Sequence, residues 1–327
     1  MKVRERPPSR RAKLATAANL NVTTDAAERL AFAPAKINLT LRIGRKRADG
    51  YHDLESLVVF ADTGDTLRLA PGPSLALTVD GPTADHAGPS GDNLVLRAAR
   101  ALQAQIGGLR IGHFHLTKST PVAAGLGGGS SDAAAALRLL AQLNALPLHD
   151  ARLTGVARAT GADVPVCLDP KPRLMRGIGD ILSSPLDLPA LPAVLANAGV
   201  PVPTGAAFGA LAAARTGPAP ACDDDPASRY VEAVGLPSFA SLLDVLAASS
   251  NDLEAPALSL FPAVGETLDA LRRLSACRFA RMSGSGGTCF GLFETADEAE
   301  RAAVALRHDH PGWWVQATTL GAAPAWR

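Results

Sequence analysis

Aromatic residues are scarce in this chain. They make up 4% of it, with only two tyrosines and three tryptophans. A nucleic-acid surface built on many stacked rings is therefore not expected. No sign of charge dominates either. The 32 basic and 31 acidic side chains leave a net charge of +1, which gives no global field for nucleic acid or an acidic membrane. Four cysteines, Cys167, Cys222, Cys277 and Cys289, lie far apart with no C-x-x-C pair. That spacing argues against a structural zinc site and a secreted disulfide scaffold, and for a reducing, cytoplasmic setting. A run of about 18 uncharged apolar residues is also missing, so no membrane span is expected. What the chain does have is length, 327 residues of which 47% are apolar. It is long enough to bury a sizeable core as one large or two ordinary domains, and too apolar to be disordered.

The first 30 residues are basic, with Lys2, Arg4, Arg6, Arg10, Arg11 and Lys13. No apolar segment follows them as in a secretory leader. A poorly ordered tail is expected, with a transit peptide or an early start codon as the alternatives. From Ala31 to Ile43 the pattern predicts a strand, followed by strands at Leu54–Phe60, Thr66–Leu69, Ser74–Val79 and Ile111–Thr117. Leu94, Ala98, Leu102 and Ile106 recur every four residues and predict a helix over Asp92–Ile106. Further helices are predicted from Ser131 to Leu146 and from Ala151 to Thr160. Prolines become frequent after Asp163, and a domain boundary is placed at 172/173. The remainder alternates helices (Leu236–Ala247, Val264–Leu274, Ala296–Arg307) with strands (Arg278–Ser283, Thr288–Phe293, Trp313–Thr318). This predicts an α+β fold, an open sheet covered by helices.

The most informative segment is Pro121-Val122-Ala123-Ala124-Gly125-Leu126-Gly127-Gly128-Gly129-Ser130-Ser131. Its glycines permit positive φ and a close approach of backbone to ligand. Strong helix formers follow directly, so free N–H groups and the positive end of the helix dipole face the loop. Ser130 and Ser131 add hydroxyls for phosphate oxygens or for a bound Mg²⁺. This is an anion-binding design suited to a polyphosphate. It is not a Walker loop, because no Gly-Lys-Ser/Thr follows, and its spacing does not match G-x-G-x-x-G. A flexible loop with a plainly capped helix is the structural alternative.

The glycine segment resembles the second motif of the kinase superfamily that includes galactokinase, homoserine kinase, mevalonate kinase and phosphomevalonate kinase. Ala33-Pro34-Ala35-Lys36-Ile37-Asn38-Leu39 resembles its first motif, and Met282-Ser283-Gly284-Ser285-Gly286-Gly287-Thr288 its third. The finer pattern is similar to the 4-diphosphocytidyl-2-C-methyl-D-erythritol kinase family. It is carried by Arg47-Ala-Asp49-Gly50-Tyr51-His52, Asp62-Thr-Gly64-Asp65-Thr66, Gly161-Ala-Asp163-Val-Pro165 and Ser250-Asn251-Asp252. The resemblance runs from about Phe32 to Gln316 and leaves the basic tail uncovered. It implies a two-domain α+β small-molecule kinase. An N-terminal ATP-binding domain with a ribosomal-protein-like fold would span 31–172, and a ferredoxin-like α/β-plait domain 173–327. It further implies ATP and Mg²⁺ as cofactors and a cytidine diphosphate conjugate as substrate. No nucleic-acid or membrane partner is expected, and the chain is expected to act as a monomer or weak homodimer.

Taken alone, Lys36 reads as an edge lysine in solvent and Asp163 as a turn or cap aspartate, rather than as catalytic groups, because isolated Lys and Asp are usually surface residues. The resemblance aligns them with the family's catalytic pair, a base and its cationic partner. By the same resemblance Tyr51 and Phe208 sandwich the cytosine ring, and His52 reads its edge with one donor and one acceptor. Asn38 shares a strand face with Lys36 and is placed at the acceptor. Thr204, Gly284, Ser285 and Gly286 are placed on the substrate side, Lys118 and Asn93 on the ATP side. Two stretches depart from the family pattern. Ala196–Val200 lacks a proline before its glycine, and Ala210–Pro226 matches no family loop. Competing readings are a mevalonate- or homoserine-type kinase, an inactive binding protein on this fold, and an RNA-binding module.

Overall fold

The computed structural model describes residues 27–321, apart from 88–91, 218, 220–227, 229–230, 233–235 and 237. Most of the expected tail and most of the stretch 218–227 thus lie outside the described residues, as does Cys222. An 11-stranded mixed sheet runs through the molecule. Its spine is β3 (His52–Gly72), a single 21-residue strand where the sequence predicts two short ones. Gly64 and Asp65 suggest a break, yet the strand continues. Gly64 sits so close to Ala33 that an added Cβ would overlap its carbonyl, so the glycine serves close backbone approach rather than a turn.

Around β3 pair β1 (Arg29–Asn38), β2 (Arg42–Lys46), β5 (Ile111–Thr117) and β6 (Arg173–Gly177), all antiparallel. The single strand predicted over 31–43 is divided: Thr40 leaves the ladder and its hydroxyl accepts from the Leu57 amide instead. β4 (Ala76–Asp80) lies parallel to β5 at one edge. β7 (Ile181–Leu182) pairs only with β6. Beyond β3 the sheet continues through β11 (Trp314–Gly321), β8 (Leu191–Asn197), β10 (Thr288–Leu292) and β9 (Phe279–Met282).

Four helices pack on the first half: α1 (Leu94–Gln105), α2 (Gly128–Leu143), α3 (Ala151–Thr160) and α4 (Val164–Leu168). They bury a core with Val58, Phe60, Leu67, Leu69 and Phe114 of the sheet. Pro165, which as a sequence signal marks irregular chain, instead occupies the first turn of α4, where its missing N–H costs nothing. On the second half lie α5 (Thr204–Ala214), α6 (Phe239–Ala247), α7 (Glu254–Leu260), α8 (Pro262–Arg273) and α9 (Ala296–Asp309). Leu41 and Ile43, early in sequence, belong to the core formed with Val194, Leu253, Leu268 and Leu306. No helix among the described residues is long and apolar enough to cross a membrane.

Candidate active site

A cavity of about 970 Å³ opens between the two halves. One wall is the glycine loop between β5 and α2. Gly125 and Gly127 take positive φ, +75° and +60°, and the helix begins at Gly128, three residues earlier than the sequence predicts. Ala123 also has positive φ, +52°, a strained value for a residue with a Cβ. Pro121 to Gly125 and Gly127 to Ser130 line the cavity at the N-terminus of a 16-residue helix. Free N–H groups and the helix dipole there favour an anion.

Two residues assigned to this wall do not reach it. Leu126 points into the core beside Ile37 and Leu39. Ser131 is wholly buried. Its amide bonds to the Gly127 carbonyl, and its hydroxyl donates to the Pro34 carbonyl at 2.7 Å, tying α2 to β1. A phosphate oxygen or metal ion therefore has Ser130, not Ser131, to meet.

At the centre of the cavity Lys36 Nζ lies 3.1 Å from Asp163 Oδ2 and 3.0 Å from Asn38 Oδ1. Lys36 is only 3% exposed, so it is no edge lysine. A bulge in β1 between Pro34 and Lys36 shifts the register with β3. The Lys36 amide bonds the Leu126 carbonyl at 2.8 Å rather than the sheet. Asp163 does occupy a helix N-cap, that of α4, but its side chain accepts no capping hydrogen bond and faces Lys36. Asn38 is held in turn: its Nδ2 donates to Ser56 Oγ at 2.7 Å, and its amide donates to Ser283 Oγ at 3.2 Å.

Lys118, just past the end of β5, lines the cavity on the glycine-loop side and is locked between two carboxylates, Asp65 at 2.5 Å and Asp132 at 2.8 Å. Asp65 also accepts from the Ser119 and Thr120 amides and the Thr120 hydroxyl. Burial works against the Lys118 ammonium, but Asp132 and Asp65 outweigh it and raise its pKa. Burial likewise pushes the Asp132 carboxyl up to about 7, against the pull of Lys118. Its Oδ1 has no hydrogen-bond partner. Sequence reasoning gives neither aspartate a role. The available signals are a lone acid in the apolar start of α2 and the acid after Gly64. Asn93 caps α1, accepting from the Val95 amide at 2.9 Å, and lines the same wall.

The far end is aromatic. The rings of His52 and Phe208 lie 5.1 Å apart at a tilt of 33°, and Tyr51, 57% exposed, stands at the rim. Burial, then the charges of Lys46 and Arg215, lower the His52 pKa, which keeps the imidazole neutral. Thr204, the first residue of α5, shares a 2.9 Å hydrogen bond with Ser285, so this end is tied to the C-terminal glycine turn. Gly284 and Ser285 line the cavity. Gly286 does not; it lies against Met282 and Ala257. Lys46 lines the cavity beside His52 and is not among the sequence candidates.

Two family domains match the chain: the GHMP kinases N terminal domain over residues 93–169 and the GHMP kinases C terminal domain over 231–311. The chain is 58% identical over 289 residues to the 4-diphosphocytidyl-2-C-methyl-D-erythritol kinase of Methylobacterium radiotolerans, covering 88% of this chain and 97% of that one. To the protein of the same name from Xanthobacter autotrophicus it is 56% identical, covering 89% and 98%. Among solved structures, a 4-(cytidine 5'-diphospho)-2C-methyl-D-erythritol kinase superposes with a TM-score of 0.69 at 37% identity, covering 91% and 100%. A homoserine kinase from Cytophaga hutchinsonii, at 21% identity, shares the fold with a TM-score of 0.68, covering 90% and 96%.

Proposed function

The chain belongs to the 4-diphosphocytidyl-2-C-methyl-D-erythritol kinases of the GHMP superfamily, and on that premise we propose the following chemistry for its cavity. The enzyme transfers the γ-phosphoryl group of ATP to the 2-hydroxyl of 4-diphosphocytidyl-2-C-methyl-D-erythritol, giving the 2-phosphate. This is a step of non-mevalonate isoprenoid precursor synthesis. The observation that carries the reading is the Lys36–Asp163 contact at 3.1 Å, set between the glycine loop and the His52–Phe208 pair in one cavity.

Asp163 accepts the proton of the acceptor hydroxyl as its oxygen bonds to the γ-phosphorus and the β–γ bridging bond breaks, releasing ADP. Lys36 holds the Asp163 carboxylate in place through their 3.1 Å ion pair and stabilises the charge that develops on the acceptor oxygen. Asn38 orients Lys36. The amides at the start of α2, with the Ser130 hydroxyl and Lys118, cradle the triphosphate. Among the described residues no three His, Cys, Asp or Glu side chains gather as a metal cage. The carboxylates nearest the loop, Asp65 and Asp132, are turned to Lys118. The donor set therefore fits a Mg²⁺ carried on the ATP phosphates, which the Ser130 hydroxyl would help to hold. When bound, the ion neutralises phosphate charge. Tyr51, His52 and Phe208 hold the cytosine, with Thr204, Gly284 and Ser285 along the rest of the acceptor. Residues 31–172 supply the ATP side and residues 173–327 much of the acceptor side. The cytoplasm, where nucleotides are made, is the compartment this reading implies.

An ADP-release assay run in parallel with the cytidine conjugate, mevalonate and homoserine tests the proposal. Turnover with the cytidine conjugate alone is expected. Comparable turnover with mevalonate or homoserine would move the chain's acceptor to another branch of the superfamily.

A further inference from the structure

Three lysines line the cavity: Lys36, Lys46 and Lys118. Among the described residues no arginine does. Lys36 is committed to Asp163 and Asn38, and Lys118 to Asp65 and Asp132. The Lys46 ammonium has no hydrogen-bond or ion-pair partner among the described residues. Lys46 ends β2 directly opposite His52 in the ladder, which puts it at the heterocycle end and away from the glycine loop. Its two neighbours, Arg45 and Arg47, are spent on Asp53 and Asp49 outside the cavity. His52 is neutral, held so by burial and by Lys46 and Arg215, and Arg215 is itself bonded to the Ile43 carbonyl and to Asp252. At the acceptor end, then, one cation among the described residues is free.

A cytidine diphosphate conjugate brings two phosphate groups to this end, and charge at that position needs a counter-charge. We infer that Lys46 binds the diphosphate of the acceptor and so selects a diphosphate over a monophosphate. The inference rests on the cytidine reading above. A lysine suits this role, being a point charge on a flexible stem that needs no fixed fork geometry. Its solvent exposure makes the contact sensitive to salt.

The test is calorimetry of CDP and CMP binding with the ATP site filled by a non-hydrolysable ATP analogue. The wild-type protein should favour CDP over CMP by about tenfold at low salt, as for a charge-assisted hydrogen bond. Lys46→Gln should lose most of that ratio, with CMP binding nearly unchanged. Lys46→Arg should keep it, and Arg45→Gln, a loss of charge outside the cavity, should leave it intact. In turnover, Lys46→Gln should raise the KM for the cytidine conjugate without altering the KM for ATP. An unchanged CDP/CMP ratio in Lys46→Gln, or a raised KM for ATP instead, overturns the role of Lys46 and leaves the kinase reading standing. Failure of the wild-type protein to bind CDP at all overturns the cytidine reading, and this inference with it.

Discussion

Gly125 and Ser283, 158 residues apart, touch backbone to backbone: a Cβ on Gly125 would overlap the Ser283 carbonyl oxygen and lie 2.9 Å from that of Gly286. The contact is reinforced from both sides. Ser283 Oγ donates to the Gly125 carbonyl at 2.9 Å, and the Thr288 amide donates to the Ala124 carbonyl at 3.0 Å. The glycine loop and the C-terminal glycine turn are therefore one packed unit. The same Ser283 hydroxyl accepts the Asn38 amide, so this unit also sets the strand that carries Lys36.

Gly125→Ala should damage the enzyme on two counts, because φ is +75° and the space is taken by backbone. A loss of about 2–4 kcal/mol in stability is expected from strain and overlap together. ATP affinity and acceptor affinity should fall together, since the two loops must separate. Ser283→Ala should cost about 1–3 kcal/mol, because it removes two hydrogen bonds, one to the Gly125 carbonyl and one from the Asn38 amide. Denaturant melts and calorimetry with each ligand check this. A Gly125→Ala protein that lost ATP binding alone would show that the loops move independently.

Asp163→Asn should lower kcat about a hundredfold or more, the usual worth of a general base, with a smaller effect on the KM for ATP. Lys36→Ala should behave similarly. Because the two side chains meet at 3.1 Å, the double variant should fall short of the sum. Near-normal kcat in folded Asp163→Asn would remove that carboxylate from the chemistry.

Much of this site is legible in the sequence, and the misses have physical causes. Lys36 and Asp163 stand in motifs that place them, and the burial of Lys36 agrees with an apolar strand interrupted by one cation. Asp132 and Asp65 escape a sequence reading because their partner Lys118 sits on a third element, a relation that no local pattern encodes. Ser131 is over-read from composition, which marks a hydroxyl beside the glycines but not which face of the first helical turn it takes. Gly64 reads as a break in β3, although close approach to Ala33 is what requires it there. The helices α5 and α7 escape notice because each is short and interrupted by Gly or Pro, so periodicity has little length in which to show.

The acceptor's affinity should depend on pH through His52. Burial first, then Lys46 and Arg215, depress its pKa below the ordinary 6.5. The neutral imidazole offers the donor and acceptor that a cytosine edge needs, and protonation removes the acceptor. The KM for the cytidine conjugate should thus stay flat as pH falls from about 8 through 6.5, and rise only below that value. In Lys46→Gln the rise should begin at higher pH, though not fully back at 6.5, because burial persists. A rise centred above 6.5 in the wild-type enzyme would contradict a neutral His52.

Asp132 makes a prediction about stability rather than catalysis. Its carboxyl titrates near the ordinary 3.8 when unfolded and at about 7 when folded, chiefly through burial. The folded state therefore holds a proton that the unfolded state has lost between those two values. Stability from this group is fully present below 3.8, is lost as pH climbs toward 7, and is gone above it. Asp132→Asn removes the ionisation while leaving Lys118 its pairing with Asp65. Below about pH 3.8 the variant and the wild-type protein should melt at similar temperatures, since both present a neutral side chain in the folded and unfolded states. At about pH 8 the wild-type protein must carry a fully buried carboxylate with one oxygen unpartnered, and the variant should melt higher. The difference in Tm should open between about pH 3.8 and 7 and level off above 7. Parallel melting curves across the range would mean that Lys118 keeps Asp132 ionised throughout, and that the unpartnered oxygen has found a donor.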